Sequence, residues 1–187
     1  MNATSLDSLY ADLLKEHSNS KGGLPPVDQW QPALNGDIDI RIARDGTWYH
    51  EGSPITRAPL VKLFASILKR EGDEYFLVTP VEKWRLQVDD APLHVIAVQR
   101  TVRDQHQALM FTTLTDDTIL ASTEHPIRVD IDAATAEPSP YIMVRNRLDA
   151  LISRAVYYEL AAMVEERQVD TVPTLGVTSM GTFFSLV

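Results

Sequence analysis

The chain has 187 residues, 17 Lys and Arg against 26 Asp and Glu for a formal net charge of −9, 44% hydrophobic residues and no cysteine. That charge argues against sequence-independent binding to nucleic acid or to an anionic membrane, both of which need a cationic field. The missing thiols exclude disulfides, cysteine nucleophiles and cysteine-ligated metal, and the length fits one body or two small, closely packed halves.

Leu6, Leu9, Tyr10, Leu13 and Leu14 recur at helical spacing, with Thr4 and Asp7 placed as a capping box, so residues 1–22 are expected to form an N-terminal helix and a polar linker. Acidic residues stand where a signal peptide needs a basic and then an apolar run, and no window approaches 18 apolar residues. The expectation is a soluble cytoplasmic protein.

Ile38, Ile40 and Ile42 alternate with Asp37, Asp39 and Arg41, which predicts a half-buried strand. Asp45-Gly46 then turns the chain so that residues 47–50 return as its antiparallel partner. Beyond Gly52-Ser53-Pro54, the spacing of Leu60, Leu63, Phe64, Ile67 and Leu68 predicts a helix of about a dozen residues, capped by Thr56, with Pro59 in its first turn, closed by Lys69 and Arg70 and stopped by the turn Glu71-Gly72-Asp73. Residues 75–78 read as a short strand ending at Thr79-Pro80.

From Val81 strands recur with turn signals between them: 84–88, 93–102, 108–114, 118–121 and 127–131, an antiparallel meander closed by a loop at 133–140. Leu148, Leu151, Ile152, Ala155, Val156, Leu160, Met163 and Val164 then predict an amphipathic helix of about twenty residues, capped by Asn146 or Asp149. The apolar tail 182–187 reads as a last, paired strand. The class is α+β: an N-terminal half at 23–80 and a barrel-like C-terminal half at 81–187 with a long helix. A loose internal duplication is allowed, because both halves run strands, one amphipathic helix and a strand.

Several long motifs resemble one bacterial family, catalogued as domain of unknown function 1285. They include Gly36-x-Ile38-x-Ile40-Arg41-Ile42, Asp45-Gly46-Thr47-Trp48, Gly52-Ser53-Pro54-Ile55-x-Arg57 and Leu63-Phe64-x-x-Ile67-Leu68-Lys69-Arg70-Glu71. Leu77-Val78-Thr79-Pro80-Val81-Glu82-Lys83, His125-Pro126, Pro140-Tyr141-x-x-Val144-Arg145 and the run from Leu148 to Leu160 continue the match. The resemblance implies two α+β halves related by duplication, a C-terminal half superficially like a pleckstrin-homology barrel, and a ligand site where the halves meet. It also implies a nucleotide-like ligand and a signalling role. The segment 176–181 departs from the family pattern, which places any contact it makes outside the resemblance.

Candidate site residues fall into three groups. Arg57, Lys83, Arg145, Arg147 and Arg154 are cations within an acidic chain and suit phosphate or carboxylate, or else structural ion pairs with Glu82, Asp45, Asp149 or Glu159. Thr79, Glu82 and Lys83 sit at a strand end, where a hydroxyl and an acid–base pair read out a polar ligand or simply form a bend. Trp48, Tyr49 and His50 form the third group: residues 48 and 50 share one strand face and offer a stacking surface with an imidazole, while the stronger reading places Trp48 in the core and His50 as a partly exposed strand residue.

The five histidines show no metal-ligand spacing, and there is no phosphate loop, dinucleotide fingerprint or nucleophile elbow. No metal or cofactor is expected. The leading expectation is a sensor-like protein that binds a nucleotide-like or other anionic small molecule. A protein-interaction module is the alternative, followed by an enzyme with Glu82 or His50 as general base.

Overall fold

The computed structural model describes residues 23–186, so the expected N-terminal helix lies outside the described residues. It is mainly sheet with two helices, and divides into two units, one ending at Asp89 and one beginning at Asp90.

In the first unit, β1 (Leu34–Ile42), β2 (Trp48–His50) and β3 (Ser53–Pro54) meander outward. Then β4 (Leu68–Glu71), β5 (Glu74–Val78) and β6 (Lys83–Val88) meander inward, until β6 closes the sheet by pairing parallel to β1. The order is β3-β2-β1-β6-β5-β4. The expected first hairpin is present: Gly46 takes φ 85°, Thr47 N–H donates to Asp45 Oδ1 at 2.9 Å, and Ile42 faces Trp48. Alternation sends Ile40, Ile42 and Trp48 to the core and Asp37, Asp39 and Arg41 to the other face. Trp48 meets Phe64 of the helix α1 (Ala58–Ser66), ring centroids 6.4 Å apart.

Helix α1 is shorter than the periodicity predicts. Arg57, not Thr56, is its N-cap and makes no capping side-chain bond, while Pro59 sits in the first turn as expected. Leu68, Lys69 and Arg70 belong to β4, where Leu68 pairs with Leu77 across the Gly72-Asp73 turn. Those turn residues serve a hairpin and not a helix stop, since Gly72 has φ 62°. Because β6 pairs with β5 and β1, the unit runs past the Pro80 boundary expected from the sequence, and residues 84–88 do not join the later meander.

The second unit has β7 (Leu93–Arg103), β8 (His106–Thr113), β9 (Thr118–Leu120), β10 (Ile127–Ile131), β11 (Pro138–Arg145) and β12 (Leu148–Ile152), in order β10-β11-β12-β7-β8-β9. Strands β12 and β7 pair parallel, which puts β10 at the opposite edge from β9, so the expected meander ends at β9 and the strand at 127–131 pairs forward with β11 instead. Read from its outward meander, this is the connectivity of the first sheet. A bulge between Val95 and Ala97 shifts the alternation, so Val95 and Val98 are both buried and Ile96 is half exposed.

The loop expected at 133–140 ends inside the strand β11, and the twenty-residue helix is β12 followed by the short helix α2 (Arg154–Ala161). Asn146 and Arg147, both at positive φ, form a hairpin turn; neither Asn146 nor Asp149 caps a helix. Ser153 does, accepting from Val156 N–H. After α2 come β13 (Glu165–Val169), β14 (Val172–Ser179) and β15 (Thr182–Ser185), a separate three-stranded sheet in which the expected last strand is paired. Ser179 fastens this sheet to the larger one: it accepts from Leu109 N–H at 2.9 Å and donates to Ala121 C=O at 2.7 Å.

Candidate functional site

The open face of the first sheet carries a groove of about 660 Å³. Strand alternation builds it, since the residues that β1, β2 and β6 do not send to the core rise side by side on the opposite face. Its floor crosses four neighbouring strands, with Tyr49 on β2, Asp37, Asp39 and Arg41 on β1, Arg85 and Gln87 on β6, and Asp73, Glu74 and Tyr75 at β5.

Both guanidinium groups in the groove are engaged. Arg41 is ion-paired with Asp89 and lies 4.8 Å from the Tyr49 ring centroid. Arg85 donates from Nε to Asp37 at 2.8 Å and from a terminal nitrogen to Glu74 at 2.5 Å. Glu74 first and Asp37 second hold its guanidinium above the ordinary arginine value. Four carboxylates line the groove against two guanidiniums.

Beside the groove on the same unit, Lys83 and Lys69 both pair with Glu71, and Lys83 lies 4.3 Å from the Phe76 ring centroid. Lys69 also donates to the carbonyl of Trp30 at 2.9 Å. The hydrogen bond from Lys83 pulls the Glu71 carboxyl below its ordinary range; partial burial opposes this and Lys69 adds to it.

The residues named from the sequence are spread over several places. Trp48 is buried at 3% exposure, its ring in the core, and His50 is half-buried on the same strand face, across from Ile40. Arg57 is exposed at the start of α1. Thr79 is buried and organises its own turn, accepting from Glu82 N–H at 3.0 Å, while Glu82 accepts from Trp84 Nε1 at 3.3 Å. In the second unit Arg145 donates to Asp117 at 2.6 Å, and Asp117 also accepts from Thr113 and Thr115 hydroxyls. Arg147 is exposed in the β11–β12 turn and Arg154 is exposed at the first position of α2. Thr79 and Glu82 share one turn beside Lys83, and of the residues named from the sequence Tyr49 alone lines the groove.

In the sequence the polar groove residues of β1 read as the solvated side of a strand. The legible signal was the period-two run Asp37, Asp39, Arg41, which marks a polar sheet face without saying that the sheet curls around it. Among the described residues no group of three or more His, Asp or Glu is placed to hold a metal ion. No helix among them is long and apolar enough to cross a membrane.

Comparison with known proteins gives a consistent outcome. Residues 25–91 match the family model described as domain of unknown function (DUF1285), N-terminal domain, and residues 92–186 match protein of unknown function (DUF1285), C-terminal domain. The crystal structure of a DUF1285 family protein from Silicibacter pomeroyi DSS-3 is 46% identical, with a TM-score of 0.82 over 93% of each chain. That of a DUF1285 family protein from Shewanella baltica OS155 is 32% identical, with a TM-score of 0.53 over 67% of this chain and 91% of that one. No curated protein matches. With both family models together spanning residues 25–186, the chain belongs to the DUF1285 family.

Proposed function

We propose that the protein is a small-molecule receptor of the sensor type, with a polar organic ligand received on the open face of the first sheet. The groove of about 660 Å³ is the observation that carries this reading. Its size falls in the usual range for small-molecule sites, and its charged, amide and phenol groups are held by a sheet and not by a long loop.

A second reading keeps the anionic, nucleotide-like ligand. Lys69 and Lys83 share one carboxylate, and both are largely buried, so their neighbourhood carries an excess of positive charge. An anion placed there would be recognised by ammonium groups already held in position.

Thermal unfolding against nucleotides, small acids, amines and sugars tests both readings. A ligand at about a hundred times its dissociation constant stabilises by about 2.7 kcal/mol, which raises the midpoint by roughly 5–10 °C in a chain of this size. Under the first reading Tyr49→Ala and Gln87→Ala abolish the shift; under the second Lys83→Met does. A cooperative transition that no compound moves would remove both.

We also propose that the two halves descend from one duplicated six-stranded unit. Their shared connectivity, two three-stranded meanders closed by a parallel pair of first and last strands, supports this. A helix following the second six-stranded sheet supports the pleckstrin-homology likeness of that half.

A further inference from the structure

We propose that the ligand of the first-sheet groove is a neutral saccharide, a short oligosaccharide of linked pyranose rings; this rests on the receptor reading above and names its ligand chemistry. The pairing of charges in the groove points that way. Arg85 is shared between Asp37 and Glu74, Arg41 is matched by Asp89, and Asp73 is paired with Arg70. A charged ligand has little to gain there without breaking a pair, and a hydrocarbon would strip water from all of them. A hydroxyl does neither. It donates one hydrogen bond and accepts others, so it bridges a paired carboxylate and guanidinium without separating them.

The sheet sets such groups in two rows. Tyr49, Arg41 and Gln87 lie opposite one another on β2, β1 and β6, and Gln87 donates to Asp89 at 3.2 Å. The second row is Asp37, Arg85 and Glu74, on β1, β6 and β5, joined at 2.8 and 2.5 Å. Each row mixes donors with acceptors, and the exposed Asp39 stands between the rows on β1. Because the floor crosses four strands, it spans three strand spacings or roughly 14 Å, a length that suits linked rings and not one. Tyr49 meets the other half of sugar chemistry. A pyranose carries C–H groups on its faces as well as hydroxyls on its rim, and an aromatic ring among hydrogen-bonding groups contacts both. The Tyr49 ring is half-buried, and the Arg41 guanidinium, 4.8 Å from its centroid, fixes it at the end of the first row. Gly52 also borders the groove, and a Cβ added there would meet nothing within 4 Å, so the groove is open beside it for a further ring.

Calorimetric titration of the full chain with maltotriose, cellotriose and triacetylchitotriose tests this, with glucose, N-acetylglucosamine, ATP and spermidine as comparison probes. The expected result is saturable one-site binding of at least one trisaccharide and weaker binding of its monosaccharide. The affinity should be the same at low and high salt, since a neutral ligand brings no charge to screen. Tyr49→Ala and Gln87→Ala should each weaken that trisaccharide about tenfold, as loss of an aromatic contact or of a hydrogen-bonding amide does. Tyr49→Phe, which keeps the ring, should retain most of the affinity, and Gln168→Ala, on the exposed β13 of the second unit, should leave it unchanged. Trisaccharide binding that survives both Tyr49→Ala and Gln87→Ala would place the sugar elsewhere and overturn the proposal. So would failure of all three trisaccharides to bind folded protein. If instead ATP or spermidine binds and Tyr49→Ala removes it, the groove remains a receptor site and only the neutral assignment falls; if no probe binds, both fall.

Discussion

Ser179 illustrates how much one side chain can hold. It is fully buried, and its hydroxyl joins an N–H of β8 to the carbonyl of Ala121, just past β9, so Ser179→Ala leaves both backbone groups without that partner. Each orphaned group costs about 1–3 kcal/mol, and at roughly 2–4 °C per kcal/mol the unfolding midpoint should fall by several degrees. An unchanged midpoint would show that the three-stranded sheet is held in some other way. Glu71 gives a prediction in pH. Its carboxyl is depressed below the ordinary value of 4.5, chiefly by Lys83, so its contribution is fully present above that value and is lost as pH falls through the lower folded one. Solvent reaches 41% of the side chain, and screening keeps the effect within about 1 kcal/mol. Acid unfolding of Glu71→Gln should therefore show a flatter slope below pH 4.5 than the parent; parallel curves would mean the two lysines do not stabilise the folded carboxylate.

At the scale of elements, the two helices teach the same lesson from opposite ends of the chain. Leu68 after α1 and Leu148, Leu151 and Ile152 before α2 complete an i, i+3, i+4 pattern, yet all lie in strands. Strand β12 lies between β11 and β7 and buries Leu148, Ala150, Leu151 and Ile152, residues on both of its faces, so its apolar positions fit either period. What decides is the turn: Gly72 at one hairpin and Asn146-Arg147 at the other take positive φ. With only eight residues, α2 depends on its start. Ser153→Ala should cost about 0.5–2 kcal/mol as other lost N-caps do, measured as a lower denaturation midpoint with an unchanged slope. Ser153→Asp, which keeps a capping oxygen, should restore it; failure of that rescue would place the role of Ser153 elsewhere.

For the whole molecule, charge makes the firmest statement. A chain of net −9 whose groove has more carboxylates than guanidiniums should pass through heparin or duplex DNA columns without retention at physiological salt. Retention would reveal a basic surface that the groove and the lysine pair do not supply. The sequence by itself determined the family, through motifs spread along the chain, and the mainly local facts: the Asp45-Gly46 hairpin, the strands at 93–102, 108–114, 118–121 and 127–131, and the pairing of the tail. These depend on residues close in sequence, where alternation and turn chemistry act directly. Only the tertiary structure decided that β6 closes back on β1, and β12 on β7, because a parallel pairing between distant strands leaves no short-range signature. The same closure decided the groove. Asp37, Tyr49, Glu74 and Arg85 are ordinary surface residues until long-range pairing sets their strands side by side, whereas Trp48, legible as aromatic, is drawn into the core by Phe64.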